Sequence, residues 1–355
     1  MTHCHLYYPG LLGPNVPVEE LAKDQWPDCT QLPHLCRILA RGHKQALNKT
    51  SLEARILHGL GVQFDTHADV PLAALRAHLL SPQIDNASLW CLDPVHVQID
   101  QEEAVLLANE SLDLSESEAR HLIDDLNAHF AEDGLVIHYH KPHQWVLQGQ
   151  LALTTQPLSE VMQNSIDRFQ PAGHDETRWR KLVNELQMLL HAHPVNQARE
   201  QQGMAVVNSA WLWGGAGGEQ PAYHYEALVQ TVFCNEQWVH DVAVVCDIVH
   251  TALPEDMRAQ HFDGNSLLIF LNQLQAIKQH DVYAWFKDLK QLNDDVLGPM
   301  LDKLANGRLD SLTLYSDTLS LTLHKNDLKS SIRNLLKREK AFDKSIIQLR
   351  KHYGH

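Results

Sequence analysis

Residues 193–218 read HPVNQAREQQGMAVVNSAWLWGGAGG, and the fold turns on their second half. The run 205–213 is short, rich in valine and tryptophan and bounded by glycine, so it reads as a buried strand rather than a helix. Five small residues, 214–218, follow at once. Glycine lets the backbone come close to a bound group, and in open α/β sheets ligands sit outside the carboxyl ends of the strands. A tight turn packed under Trp211 and Trp213 is the alternative for the same loop.

Around this strand, Asn196, Arg199, Asn208 and Ser209, with the backbone of Gly214 and Gly215, form the candidate ligand-binding set. An arginine grips a phosphate or carboxylate through two N–H bonds, and side-chain amides fix its orientation. The structural alternative is that Asn196 caps the turn and Asn208 pins buried backbone groups.

Upstream, 115–134 has Ser115 as N-cap, Glu118 three residues on, apolar positions at Leu122, Ile123, Leu126 and Phe130, and a stop at Gly134. Strands at 135–139 and 144–147 follow as a hairpin through Pro142, and then a helix over 177–191. Toward the amino end, a first strand over 5–8 breaks at Pro9-Gly10, and helices cover 32–42 and 51–61, the second capped by Ser51. Downstream, 266–271 reads as a buried strand, 282–304 as a long helix, and 309–323 as a strand pair with Asp317 at its turn. The apolar segments 222–234 and 241–249 are open in type. Strand-helix flanks around a helix-hairpin middle predict an α/β sheet domain made of residues 1–88 and 195–355, with 89–194 inserted as a smaller α+β domain.

With 44% hydrophobic and 21% charged residues, the 355-residue chain has enough apolar surface for a sizeable core. A formal charge of -15 argues against a nucleic-acid or anionic-membrane binder, which needs clustered lysine and arginine. The basic, helically spaced tail 333–355 is the exception, and it reads as a docked helix with a solvated face. The six cysteines form no Cys-x-x-Cys pair, and no segment reaches the length of a membrane span, so reduced thiols and a cytoplasmic location are expected. Among the 24 histidines, His138, His140 and His143 lie close enough to suggest a metal site, but no carboxylate accompanies them and solvent-facing side chains are expected. His191 and His193 make a still weaker ligand pair, and Asp93 with His96 becomes chemistry only if both line a cleft.

Several ordered stretches carry a family resemblance. LSESEARHLIDDLN (114–127), TTQPLSEV (154–161), the helix before HPVNQAREQQG, and NSAWLWGGAG (208–217) resemble the inserted domain and return strand of archaeal-type cofactor-independent phosphoglycerate mutases, in the alkaline phosphatase superfamily. WCLDPVHV (90–97) is similar to their shorter relatives, the RpfE-type regulatory proteins. The resemblance implies an alkaline-phosphatase-like sheet domain flanked by helices, and a centre of two manganese or magnesium ions. In that family an aspartate follows the first strand, where this chain has Pro9-Gly10. The family's phosphorylated serine lies in Gly-Ser-Asp-x-Ala-His-Leu, which TSLEARIL (50–57) echoes in Ser51 and Ala54, with Leu52 at the aspartate. AIKQHD (276–281) keeps His280 but has Ala276 where the late motif has aspartate, and the final Asp-His pair is similar to Asp317-Thr318, with His324 beyond.

Ser51 is therefore the catalytic candidate, and Asp317, His280 and His324 are the metal candidates. Two divalent cations need more hard oxygen ligands than these to polarise a transferring phosphoryl group. The expectation is a pseudoenzyme without cofactor, regulatory or ligand-binding, whose interdomain cleft or surface takes a small phosphorylated metabolite or a regulatory protein partner. The alternative is an active 2,3-bisphosphoglycerate-independent mutase or phosphatase with a rearranged divalent-metal site drawing on Asp93, Asp247 or Asp263. A purely structural protein docking a partner through its basic tail is a third reading.

Overall fold

The structure, a computed structural model, describes residues 1–14, 31–65, 69–81, 84, 88–100, 103–108, 112–162, 166–215 and 223–329. The chain divides into two compact units, Met1–Gly61 with Ala227–His355, and Val62–Glu226. No helix among the described residues is long and apolar enough to cross a membrane.

The first unit is α/β, as the sequence predicts. Its seven-stranded sheet runs in the order Val249–Thr251, Thr231–Phe233, Ser266–Ile269, His3–Tyr7, Ser311–Tyr315, Leu319–His324, His43–Ala46. The first five are parallel, Leu319–His324 runs antiparallel to them, and His43–Ala46 pairs antiparallel with Leu319–His324. Alternation along the central strands puts Cys4, Leu6, Leu268, Leu312 and Leu314 on one face, in one core with Leu35, Trp285, Leu289 and Leu301 of the helices Pro33–Arg41, Val282–Gln291 and Gly298–Ala305. Leu267 points the other way, toward the helix Leu52–Leu60, where a Cβ added at Gly59 would stand 3.1 Å from it. That helix begins at the Ser51 cap and ends at Gly61 in the left-handed region, φ 96°, both at their expected places.

Two expectations are refined here. The long helix over 282–304 is interrupted by a π-helical turn, Leu292–Leu297, just before Pro299, which has no N–H to return to the preceding turn. The open segments resolve into the strand Thr231–Phe233, the helix Gln237–Val245 and the strand Val249–Thr251.

The second unit is built on an antiparallel sheet in the order Ser209–Trp213, Leu89–Asp100, Gln144–Gln148, Val136–Lys141, with Glu103–Ala108 also paired to Leu89–Asp100. Helices Glu116–Phe130 and Glu176–Ala192 share a core with Trp90, Leu92, Ile137, Leu147 and Leu212. The Ser115–Glu118 capping box is complete, and Gly134 at φ 69° closes the end of the first helix. The expected hairpin is present, with a bulge between Tyr139 and Lys141.

The strand Ser209–Trp213 differs from its expected place. It pairs antiparallel with Leu89–Asp100, Trp211 opposite Asp93, and does not join the larger sheet. The units meet in sequence at 61/62 and 226/227, whereas the sequence reading placed the joins at 88/89 and 194/195. A strand buried on both faces has the same apolar pattern in either sheet, so periodicity does not choose its neighbour.

Candidate functional site

The first strand ends at the carboxyl edge of the parallel sheet. Tyr8 N–H donates to Tyr315 O at 2.9 Å, and the next free amide, that of Gly10, donates to Oδ2 of Asp317 at 2.8 Å. The Pro9 and Gly10 carbonyls accept from Gln273 Nε2 at 2.8 Å and Trp285 Nε1 at 3.0 Å. Gly10 is required here, since its φ is 69° and a Cβ would stand 2.7 Å from Ile277. Arg55, one turn beyond Ser51, donates to the backbone oxygens of Asn48 and Asp317. Ser51 and Asp317 thus come to the same edge.

The electrostatics of this corner are mixed in sign. Asp317 is exposed as a residue, yet crowding of its carboxyl raises the pKa by desolvation, opposed by the amides of Gly10 and of Asp317 itself, by Arg55 and by Ser316. Burial raises the Tyr7 phenol, with Asp317 and Glu53 pushing it up and Arg55 down. Desolvation lowers Lys278, opposed by the charge of Glu53. Glu53, Arg55, Lys278 and Asp317 are two carboxylates balanced by two cations.

The other metal candidates do not join Asp317. His280 is exposed, sits at φ 53° and turns Nδ1 to the Ile277 carbonyl of the preceding helix, Leu274–Lys278, at 3.2 Å. His324 pairs with Ser311 at the end of the β-hairpin opposite the Asp317 turn, and its ring lies beside His43. Ser51 Oγ accepts the Ala54 N–H at 3.2 Å as a helix cap. Asp247 and Asp263 precede the parallel strands Val249–Thr251 and Ser266–Ile269, so they lie toward the opposite, amino edge of the sheet. Among the described residues no group of three or more histidine, cysteine, aspartate or glutamate side chains is placed to hold a metal ion.

The segment 193–215 lies in the second unit, and its polar side chains are turned to the chain itself. Arg199 is 1% exposed; its guanidinium donates to the carbonyls of Ala205, Asp113 and Leu112 and to Glu118 Oε1. Asn196 donates to the carbonyls of Leu190 and Val207 and accepts the Val207 N–H, and Asn208 brackets both backbone groups of Val97. Ser209 accepts from Gln187. In place of the expected anion grip, Arg199 ties a helix to two loops, because an arginine this buried must spend its donors on protein acceptors.

The loop that follows has a specific job. Gly214, at φ 61°, donates its N–H to Asp69 Oδ2 at 2.7 Å and accepts from Ala73 N–H at 3.0 Å. A Cβ on Gly215 would stand 2.1 Å from the Trp90 ring. Residues 216–218 and the basic tail 333–355 lie outside the described residues.

Sequence reasoning named Asp93 but missed its partner Arg76 and the second carboxylate, Asp69. Asp93, fully buried, meets Arg76 in a two-pronged ion pair at 2.5 and 3.1 Å and also accepts from the Trp145 amide and Trp213 Nε1. Asp69 accepts in addition from Thr155 Oγ1 at 2.6 Å and the Val70 amide. The available signal was a lone charge inside each apolar run, VPLAALRAHLL and WCLDPVHV. His96, three residues from Asp93 on one strand, faces the other way and bonds to Val206 O. His193 caps the helix Pro194–Gln201 through Val195 N–H and meets Asp125, while half-buried His138 meets Gln148.

No family model matches the chain. It is 29% identical over 105 residues to the 2,3-bisphosphoglycerate-independent phosphoglycerate mutase of Methanosarcina mazei, covering 28% of this chain and 26% of that protein. It is 26% identical over 173 residues to a probable 2,3-bisphosphoglycerate-independent phosphoglycerate mutase of Geobacter sulfurreducens, covering 47% of this chain and 43% of that protein. The chain is weakly similar to such mutases. Both matches span less than half of the relative. Among solved structures, the PH0037 protein from Pyrococcus horikoshii shares the fold, with a TM-score of 0.50 at 12% identity over 95% of this chain and 92% of its own. The cofactor-independent phosphoglycerate mutase from Thermoplasma acidophilum gives a TM-score of 0.40 at 11% identity, over 91% and 90%.

Proposed function

We propose that this chain is a phosphoglycerate-mutase-like protein with a degenerate metal site, non-catalytic and regulatory, of the RpfE type. The observation that carries the reading is the edge around Asp317, where a backbone N–H from Gly10 meets the carboxylate and Arg55 adds a positive charge beside it. The Gly10 amide occupies a carboxylate lone pair that a metal would need, and the nearby Arg55 charge, bonded to the Asp317 backbone oxygen, disfavours a cation beside it. With His324 and His280 placed elsewhere, the corner balances its own charge. Its ligand is a small phosphorylated metabolite or a regulatory protein partner. The cytoplasm is the proposed location, in keeping with the buried free thiols of Cys4, Cys234 and Cys246.

A coupled phosphoglycerate mutase assay with added manganese or magnesium, alongside metal analysis of protein purified without chelator, tests this. The expected result is no turnover and no stoichiometric metal. Turnover that disappears in Ser51→Ala overturns it in favour of an active mutase or phosphatase with a rearranged centre.

A further inference from the structure

The parallel sheet has a second feature at its carboxyl edge, on the opposite face from Ser51 and Arg55. From Thr231–Phe233 the chain passes outward to Val249–Thr251; from Ser266–Ile269 it passes the other way, across His3–Tyr7 to Ser311–Tyr315. Connections that diverge from neighbouring strands leave a crevice between them, which is where open α/β sheets bind ligands. A cavity of about 260 Å³ occupies that place, lined by Asn235 beyond one strand, Phe270 and Asn272 beyond the other, and Tyr8 beyond the third.

Its chemistry is one-sided. Glu255, Asp288 and Asp295 line it, and among the described residues no lysine, arginine or histidine lines it. Carboxylates in a concave, partly apolar site focus a negative potential. Tyr8 is 1% exposed, and its buried hydroxyl has no hydrogen-bond partner among the described residues. Leaving such a group unsatisfied is costly, so it marks a place where a ligand atom fits. Asp288 lies near enough for its charge, after burial, to raise the Tyr8 phenol further, and desolvation raises Asp288 itself. Asp295 comes from the π-helical turn, a rare geometry that recurs at functional sites. These carboxylates do not form a metal-binding group.

We propose that this cavity binds a small organic cation, an amine with an apolar body, its nitrogen held by Asp288 and the Tyr8 hydroxyl and its body against Leu253, Met257 and Phe270. The ligand is opposite in charge to a phosphorylated sugar acid, and the site stands apart from the Asp317 corner and from the reading given to it.

Calorimetric titration of the full chain with 2-phenylethylamine, with 3-phenylpropionate as the anionic counterpart and manganese chloride alone as the metal control, tests the assignment. Saturable binding of the amine is expected, at least ten-fold tighter than the carboxylate and weakened at least ten-fold in Asp288→Asn. Tyr8→Phe keeps the ring and removes only the unpartnered hydroxyl, so it is expected to weaken the amine several-fold with an unchanged or raised melting temperature. The proposal is overturned by absence of saturable amine binding at millimolar concentration, by equal binding of the carboxylate, by amine affinity indifferent to both substitutions, or by manganese binding that Asp288→Asn abolishes.

Discussion

The backbone N–H of Gly10 donates to Oδ2 of Asp317 at 2.8 Å, tying the loop after the first strand to the turn of the last hairpin, 307 residues away in sequence. Two loops at the carboxyl edge of the sheet are thereby held by one carboxylate, with Arg55 bonded to the backbone oxygen of the same aspartate. Asp317→Ala is expected to destabilise the protein by about 1–2 kcal/mol, the loss of a charge-assisted hydrogen bond, while leaving metal content unchanged. Asp317→Asn keeps an acceptor and should recover part of the loss. Urea unfolding and metal analysis of the two variants check this; a fall in bound manganese in either one contradicts the arrangement.

Arg199→Ala acts on the second unit. Removal of the guanidinium strands three carbonyls and Glu118, and the expected loss is about 3 kcal/mol or more. Lysine keeps the charge but not the planar fork, so Arg199→Lys should rescue little. Midpoints of urea denaturation decide it. A variant with the parent's stability means that the guanidinium is free for a ligand after all.

Two glycines separate steric from conformational need. Gly215→Ala drives a methyl into the Trp90 ring, which is 1% exposed and has nowhere to go, so overpacking should cost about 3 kcal/mol or more. Gly134 has open space around its position and only a positive φ, so Gly134→Ala should cost about 1 kcal/mol. Thermal unfolding of the pair is expected to show much the larger drop for Gly215→Ala, and the reverse order would contradict the Trp90 contact.

Glu118 and Asp69 give opposite pH dependences. Desolvation pushes Glu118 up, but bonds from the Ser115 hydroxyl and amide and from Arg199 outweigh it, so its native pKa falls below 4.5. Between that lowered value and 4.5 the unfolded chain binds more protons, so the stabilisation is present above 4.5 and disappears as pH falls through the native value. Asp69 is raised above 3.8 by desolvation, against bonds from Thr155, Gly214 and Val70, and its contribution declines as pH rises from 3.8 through the native value. Glu118→Gln should therefore flatten the acid limb of stability against pH, and Asp69→Asn should steepen it. Urea midpoints from about pH 3 to pH 6 read both slopes.

The sequence by itself determined the features whose causes lie within a few residues. The Ser51 cap, the Ser115–Glu118 box, the Gly61 and Gly134 stops, the break after the first strand and the Asp317 turn are set by local backbone geometry and short-range bonds. Tertiary structure alone decided which sheet received Trp211 and Trp213, since an all-apolar strand carries no mark of its partner. It also decided what Arg199 and Gly214 do, because their acceptors Glu118 and Asp69 lie 81 and 145 residues away. The same holds for the metal candidates. Asp317 and His324 are seven residues apart in sequence, but the antiparallel pairing of Leu319–His324 with Ser311–Tyr315 sends them to opposite ends of a hairpin. Spacing along a chain shows which residues are near in sequence; strand direction and burial set which atoms meet.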